Sequence, residues 1–131
     1  MIKRLDHFVL TVANQEKTIA FYTTILGMKH ILFGDNRSAL HFGQQKINLH
    51  EVGKEFEPKA QRPIPGSADL CFITTQPLSA FMKHCEQHRV SILEGPVQRT
   101  GATGPILSVY LRDPDDNLFY LKRLAINLTW K

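Results

Sequence analysis

Two stretches of this chain spell the same succession of elements, and that repetition constrains the fold more than any other feature. In LDHFVLTV, residues 5–12, Phe8, Leu10 and Val12 alternate with His7, Val9 and Thr11, the period of a strand with one buried face. Asn14 is placed to cap a helix whose apolar stripe is Ile19, Tyr22, Ile25 and Leu26, and Gly27 is placed to end it. Strands are predicted at 28–33, 37–42 and 46–52, with turns at Gly34-Asp35-Asn36 and Gly43-Gln44-Gln45. The charged, proline-rich run GKEFEPKAQRPIPG, residues 53–66, reads as a linker. Then the order repeats. A strand is predicted at 67–75. A helix follows with Pro77 in its first turn and a stripe of Leu78, Phe81, Met82 and Cys85. Three strands close the pattern at 90–97, 105–112 and 118–124. RTGATGP, residues 99–105, reads as a mobile flap.

This is an internal repeat of about sixty residues. It predicts an α+β protein of one domain, residues 1–131, built from two βαβββ modules at 4–52 and 67–124 joined by the linker 53–66. Aligned by their first strands, His7 falls opposite Asp69; aligned by their last, Asn48 falls opposite Tyr120. Alternation puts His7, Asn48, His50, Asp69 and Tyr120 on the faces that carry no helix. If the two sheets curve together, these five side chains share one concavity around an imidazole at 7 and a carboxylate at 69.

The bulk chemistry narrows the partners. A net charge of +4 is spread over Lys3–Arg4, Lys122–Arg123 and Lys131, with no basic run interleaved with aromatics, which argues against nucleic acid. The apolar runs are far short of a membrane span, and the N-terminus has no signal-peptide core. Cys71 and Cys85 lie in apolar patterns and read as buried reduced thiols, as expected in the cytoplasm.

The segments LDHFVLTV, FYTTILGM (21–28), PGSADLCFI (65–73), EGPVQRTGATGP (94–105) and LRDPDDNL (111–118), in this order and spacing, resemble the vicinal oxygen chelate superfamily. Its members include glyoxalase I, extradiol dioxygenases, fosfomycin-resistance transferases and bleomycin-binding proteins, and the likeness is strongest to the small bacterial and animal glyoxalase domain-containing proteins. The resemblance implies eight strands in an open mixed sheet around a cleft, one divalent metal (Ni, Zn, Co, Mn or Fe), a small-molecule substrate and a homodimer. Carried over, the metal-ligand positions of the first strands match His7 and Asp69. Those of the last strands, Glu in glyoxalase I, match Asn48 and Tyr120. The run FYLKRLAINLTWK also departs from the relatives' short acidic ending.

Each candidate has a plainer alternative. A neutral phenol at 120 is a poor ligand, so the remaining metal set is His7, Asp69 and, if it reaches, His50. Asp69 is also the candidate carboxylate base and Tyr120 a candidate phenol acid; hydrogen bonding within the fold and core packing are their alternatives. His50 could instead mark a fraying strand end. Asn48 and Arg99 are candidates for holding substrate, Arg99 through its fork on an anion, with a surface ion pair as its alternative. Asp113 and Asp115 in DPDD read as a turn. Three functions follow: a glyoxalase I-like lyase or isomerase, an extradiol-type dioxygenase, and a small-molecule binding protein with a degenerate metal site.

Overall fold

The computed structural model describes residues 1–124, so residues 125–131 of the divergent C-terminal run lie outside the description. The chain divides after Ser67 into two compact units, and no helix among the described residues is long and apolar enough to cross a membrane.

Unit 1 holds β1 (His7–Val12), α1 (Gln15–Leu26), β2 (Lys29–Phe33), β3 (Arg37–Phe42) and β4 (Gln45–Glu51). Its sheet runs β1-β4-β3-β2, with β1 parallel to β4 and the other pairs antiparallel. The α1 boundaries follow from its sequence. Asn14 Oδ1 accepts the Lys17 N–H at 2.9 Å. Gly27, at φ 69°, takes the left-handed turn and donates its N–H to Thr23. Leu10, Val12, Leu40, Ile47 and Leu49 of the sheet are buried with Tyr22 and Ile25 of α1.

Unit 2 repeats the plan with β5 (Asp69–Ile73), α2 (Leu78–Gln87), β6 (Glu94–Gly101), β7 (Gly104–Arg112) and β8 (Leu118–Leu124). Its order is β5-β8-β7-β6, again with a parallel first pair. The core is Leu78, Phe81 and Cys85 of α2 with Val109, Leu111, Phe119 and Leu121. DPDD is the turn its composition implies. Asp113 accepts from the N–H groups of Asp115 and Asn117 at 2.9 and 3.0 Å, and Asn117 Oδ1 accepts from Ala68 at the mouth of β5 at 2.8 Å.

The α+β fold of two βαβββ modules is therefore present, its eight strands partitioned into two four-stranded mixed sheets. Three local expectations change. The glycine-rich segment is strand rather than loop: Gly101 pairs with Gly104, so β6 and β7 meet in a tight hairpin whose turn is residues 102–103. Strand β6 begins at Glu94 rather than 90. Cys71 is exposed, because alternation gives the helix side of β5 to Leu70 and Phe72; only Cys85 is buried, and both thiols are free.

Candidate functional site

In unit 1 the face of the sheet away from α1 carries the polar residues. Register pairs His7 with Lys46, Val9 with Asn48 and Thr11 with His50, so these side chains stand in two adjacent rows. Ala39 of β3 lies beside Asn48. The segment after β4 folds over this face, and Pro58, Lys59, Ala60 and Pro63 join Val9, Thr11 and His50 around a cavity of about 360 Å³. His50 is only 2% exposed, so it is no frayed end. Its parallel pairing with Thr11 and the cover from residues 56–63 enclose it.

The surroundings of His50 decide its chemistry. Arg37 Nη2 lies 3.5 Å from His50 Nε2. A guanidinium can only donate, so Nε2 is the acceptor and the imidazole proton belongs on Nδ1. Burial first, and the Arg37 charge second, hold the His50 pKa below its ordinary value, with Glu55 and Glu57 opposing. His50 is thus a neutral imidazole at pH 7, packed against Phe56 with ring centroids 5.7 Å apart. The Arg37 guanidinium stands against two rings, 5.1 Å from Phe33 and 4.4 Å from Phe56. Lys46 Nζ sits 3.9 Å over Phe33. Two buried polar atoms on this face, Arg37 Nε and Asn48 Oδ1, have no hydrogen-bond partner among the described residues.

His7 is at the solvent end of β1, its Nδ1 2.8 Å from Asp6 Oδ2. That bond is the main reason the Asp6 carboxyl lies below its usual pKa. The contact leaves Nε2 as the ring atom available to anything else.

In unit 2 the equivalent face presents Asp69, Cys71 and Ile73 beside Leu118, Tyr120 and Lys122. Asp69 pairs with Leu118 and so lies diagonal to Tyr120, while Cys71 lies directly opposite it. Tyr120 stacks on Tyr110 at 4.6 Å and 27°. Burial, then the neighbouring Cys71 and Asp69, raise the phenol above its ordinary pKa, so it is a proton-bearing donor at neutral pH. Arg99 follows its plainer alternative. It is exposed, ion-paired with Glu94 at 3.1 Å and 5.6 Å from the Tyr110 centroid.

The fold and these faces agree with what the chain is similar to. The profile described as Glyoxalase/Bleomycin resistance protein/Dioxygenase superfamily matches residues 4–121. The chain belongs to that superfamily. Among superfamily relatives it is 55% identical over 123 residues to Virulence protein STM3117 of Salmonella typhimurium, covering 94% of this chain and 85% of that one. It is 56% identical over 120 residues to the Glyoxalase domain-containing protein RDO1 of Mycosarcoma maydis, covering 92% of this chain and 68% of RDO1. The crystal structure of the Salmonella protein superposes with a TM-score of 0.94 over 95% of this chain and 99% of that one. Lactoylglutathione lyase from Agrobacterium tumefaciens shares the fold alone, with TM-score 0.70 at 19% identity over 93% and 94% of the two chains.

Glyoxalase-superfamily proteins often carry a divalent metal, so the donors must be tested against one. The pairing puts His50 four residues beyond the partner of His7. That is a separation of about 13 Å along the strands, while zinc binds nitrogen at about 2 Å, so the two imidazoles of unit 1 cannot hold one ion. Asn48 and Tyr120 offer a neutral amide and a protonated phenol, weak ligands for a dication. Among the described residues no three His, Cys, Asp or Glu side chains gather into a group that could hold a metal. Within unit 1 these donors do not assemble a transition-metal centre.

Sequence patterning located His50 but not its neighbours. Arg37 opens a strand after a turn, where a solvated cation is ordinary, and Phe56 and Lys59 lie in a linker. The one available signal for them was an aromatic within a charged, proline-rich run.

Proposed function

We propose that this superfamily protein takes a small oxygenated molecule into the His50 cavity and acts on it as a lyase or isomerase of glyoxalase I type. One observation carries the reading: a buried imidazole, held neutral by its burial and the Arg37 charge, walls a cavity of about 360 Å³ together with Thr11 and Lys59. Such a group donates a hydrogen bond without bringing a charge, and it can polarise a substrate carbonyl as the adjacent carbon loses a proton. The Thr11 hydroxyl and the Lys59 ammonium supply two further donors on the same wall. On its own sheet face unit 2 carries a carboxylate, Asp69, and a protonated phenol, Tyr120, the acid–base candidates of that unit. The reaction is derived without a metal, because the unit 1 imidazoles are too far apart to hold one together.

A second reading has its own support. Asn48 and Tyr120 stand where the resemblance implies carboxylates, which favours a binding protein whose metal site has degenerated. An extradiol-type dioxygenase needs two imidazoles and a carboxylate on one ion, and the His7 to His50 spacing counts against that set. The same proposal has the protein working in the cytoplasm as a homodimer.

The test is turnover of hemithioacetals formed from 2-oxoaldehydes and thiols, followed by ultraviolet absorbance, beside catechol-dependent oxygen uptake. His50→Gln is expected to lower kcat/KM by about 10²–10⁴-fold. Wild-type activity in that variant would remove His50 from the chemistry. Calorimetric binding without turnover selects the binding protein, and oxygen uptake with catechol selects the dioxygenase.

A further inference from the structure

We infer that Arg37 and Asn48 form a subsite for a small 2-hydroxy acid, with Arg37 receiving the carboxylate and Asn48 the hydroxyl. The inference rests on the reading of the His50 cavity above, whose lining does not include these two residues, and places a ligand class on the same sheet face beside it.

Three features of Arg37 lead there. Its guanidinium is held against the rings of Phe33 and Phe56, which fixes the plane and leaves only the edges for hydrogen bonding. Nη2, which belongs to both edges able to take a carboxylate through two parallel bonds, lies on the His50 side. Nη2 uses one of its two N–H groups on His50 Nε2 at 3.5 Å, and Nε is buried with no hydrogen-bond partner among the described residues. The neighbouring carboxylates are engaged elsewhere. Glu55 accepts the Gly53 N–H at 2.9 Å and Glu57 pairs with Lys59. None of the ion pairs among the described residues involves Arg37. A covered guanidinium without an anion is costly, and an oxyanion is the group that completes it.

Asn48 adds the second half. It is 6% exposed and its Oδ1 is buried without a donor. Asn48 pairs with Ala39, two residues from Arg37 on β3, so Asn48 and Arg37 are diagonal neighbours on one face, within about 7–8 Å by strand geometry. An unfilled donor and an unfilled acceptor at that spacing match a molecule carrying a carboxylate and a hydroxyl on adjacent carbons. A plain carboxylate would leave Asn48 unsatisfied, and a plain alcohol would leave Arg37 so. Both atoms are closed to solvent, and the group over Arg37 is Phe56, itself 38% exposed on the connecting segment. A ligand reaches the subsite by lifting that ring.

The experiment is isothermal calorimetry with glycolate and lactate as hydroxy acids, acetate and propionate as carboxylates alone, and propane-1,2-diol as hydroxyls alone. Wild-type protein is expected to bind lactate at least tenfold more tightly than propionate, and not to bind the diol. Arg37→Lys keeps the charge but not the fork and is expected to weaken lactate binding tenfold or more. Asn48→Ala is expected to abolish the preference for lactate over propionate while leaving propionate binding unchanged. Phe56→Ala is expected to speed lactate association. Thermal melts establish that each variant is folded, and Asn48→Ser replaces Asn48→Ala if the latter is not. Equal affinity for lactate and propionate in the wild type overturns the subsite, as does unchanged lactate affinity in Arg37→Lys. His50→Gln separates the two ideas. If it loses hemithioacetal turnover while the Arg37 and Asn48 variants leave lactate binding unchanged, the subsite fails and the cavity reading stands. If it alters nothing while those variants behave as expected, the cavity reading fails.

Discussion

Unit 1 and unit 2 share one topology and the register of their parallel strand pair but carry opposite polar chemistry. In each, the first strand runs parallel to the last, and the residue that opens the first strand pairs two positions before Asn48 or Tyr120, on the face without a helix. Counting along that register, His7 corresponds to Asp69, Asn48 to Tyr120 and His50 to Lys122. On the helix side both units keep apolar residues, since that face must be buried for either to be stable. On the other face unit 1 has enclosed a neutral imidazole and an arginine beneath aromatic and proline side chains, while unit 2 presents a carboxylate, a thiol and stacked phenols. A repeat therefore constrains one face of each sheet and leaves the other free to diverge.

The sharpest way to test the equivalence of the two backbones is at their glycines. Gly95, at φ 117°, has no room for a side chain: a Cβ there would lie 2.5 Å from Ser108 O and 3.0 Å from Val109 Cα. Gly27, at φ 69°, has open space around the same position. Gly95→Ala is expected to destabilise the protein by about 3 kcal/mol or more, because strain and overlap add. Gly27→Ala is expected to cost only about 1 kcal/mol, the left-handed backbone penalty alone. Urea denaturation of both variants reads the difference, and equal losses would remove backbone crowding as the cause.

The helices differ by a smaller amount. Asn14 caps α1 through its side chain, whereas Pro77 gives α2 no side-chain cap. Asn14→Ala is expected to cost about 1 kcal/mol, and Pro77→Asp to add about 0.5–1 kcal/mol by accepting a first-turn N–H. Midpoints of thermal unfolding measure both, and destabilisation by Pro77→Asp would show that proline's rigidity matters more there than a cap.

The smallest expected effect isolates the buried imidazole of unit 1. Its folded pKa lies below the ordinary 6.5. As pH falls below about 6.5, the unfolded chain takes up the proton and the folded chain resists it, so stability is lost on acidification. His50→Gln is expected to flatten the stability profile between about pH 6.5 and 5 relative to wild type. An unchanged slope would mean that the folded imidazole titrates as it does in the unfolded chain.

Much of this protein was already legible in its amino-acid order. The repeated pattern of strand, helix and three strands, the Asn14 cap, the Gly27 stop and the Asp113 turn are local signals, and each is expressed where its chemistry places it. Alternation also assigned His7, Asn48, His50, Asp69 and Tyr120 to the open faces, because strand periodicity depends only on neighbours in the chain. Tertiary structure decided the rest. It took the glycine-rich segment into a hairpin and turned Cys71 outward. It separated His50 from His7 by the register of two strands more than thirty residues apart in sequence. It also brought Arg37 and the linker residues Phe56 and Lys59 to His50. Periodicity tells each residue which side it faces; only the pairing of distant segments, with the burial and charge that pairing creates, tells it what it meets there.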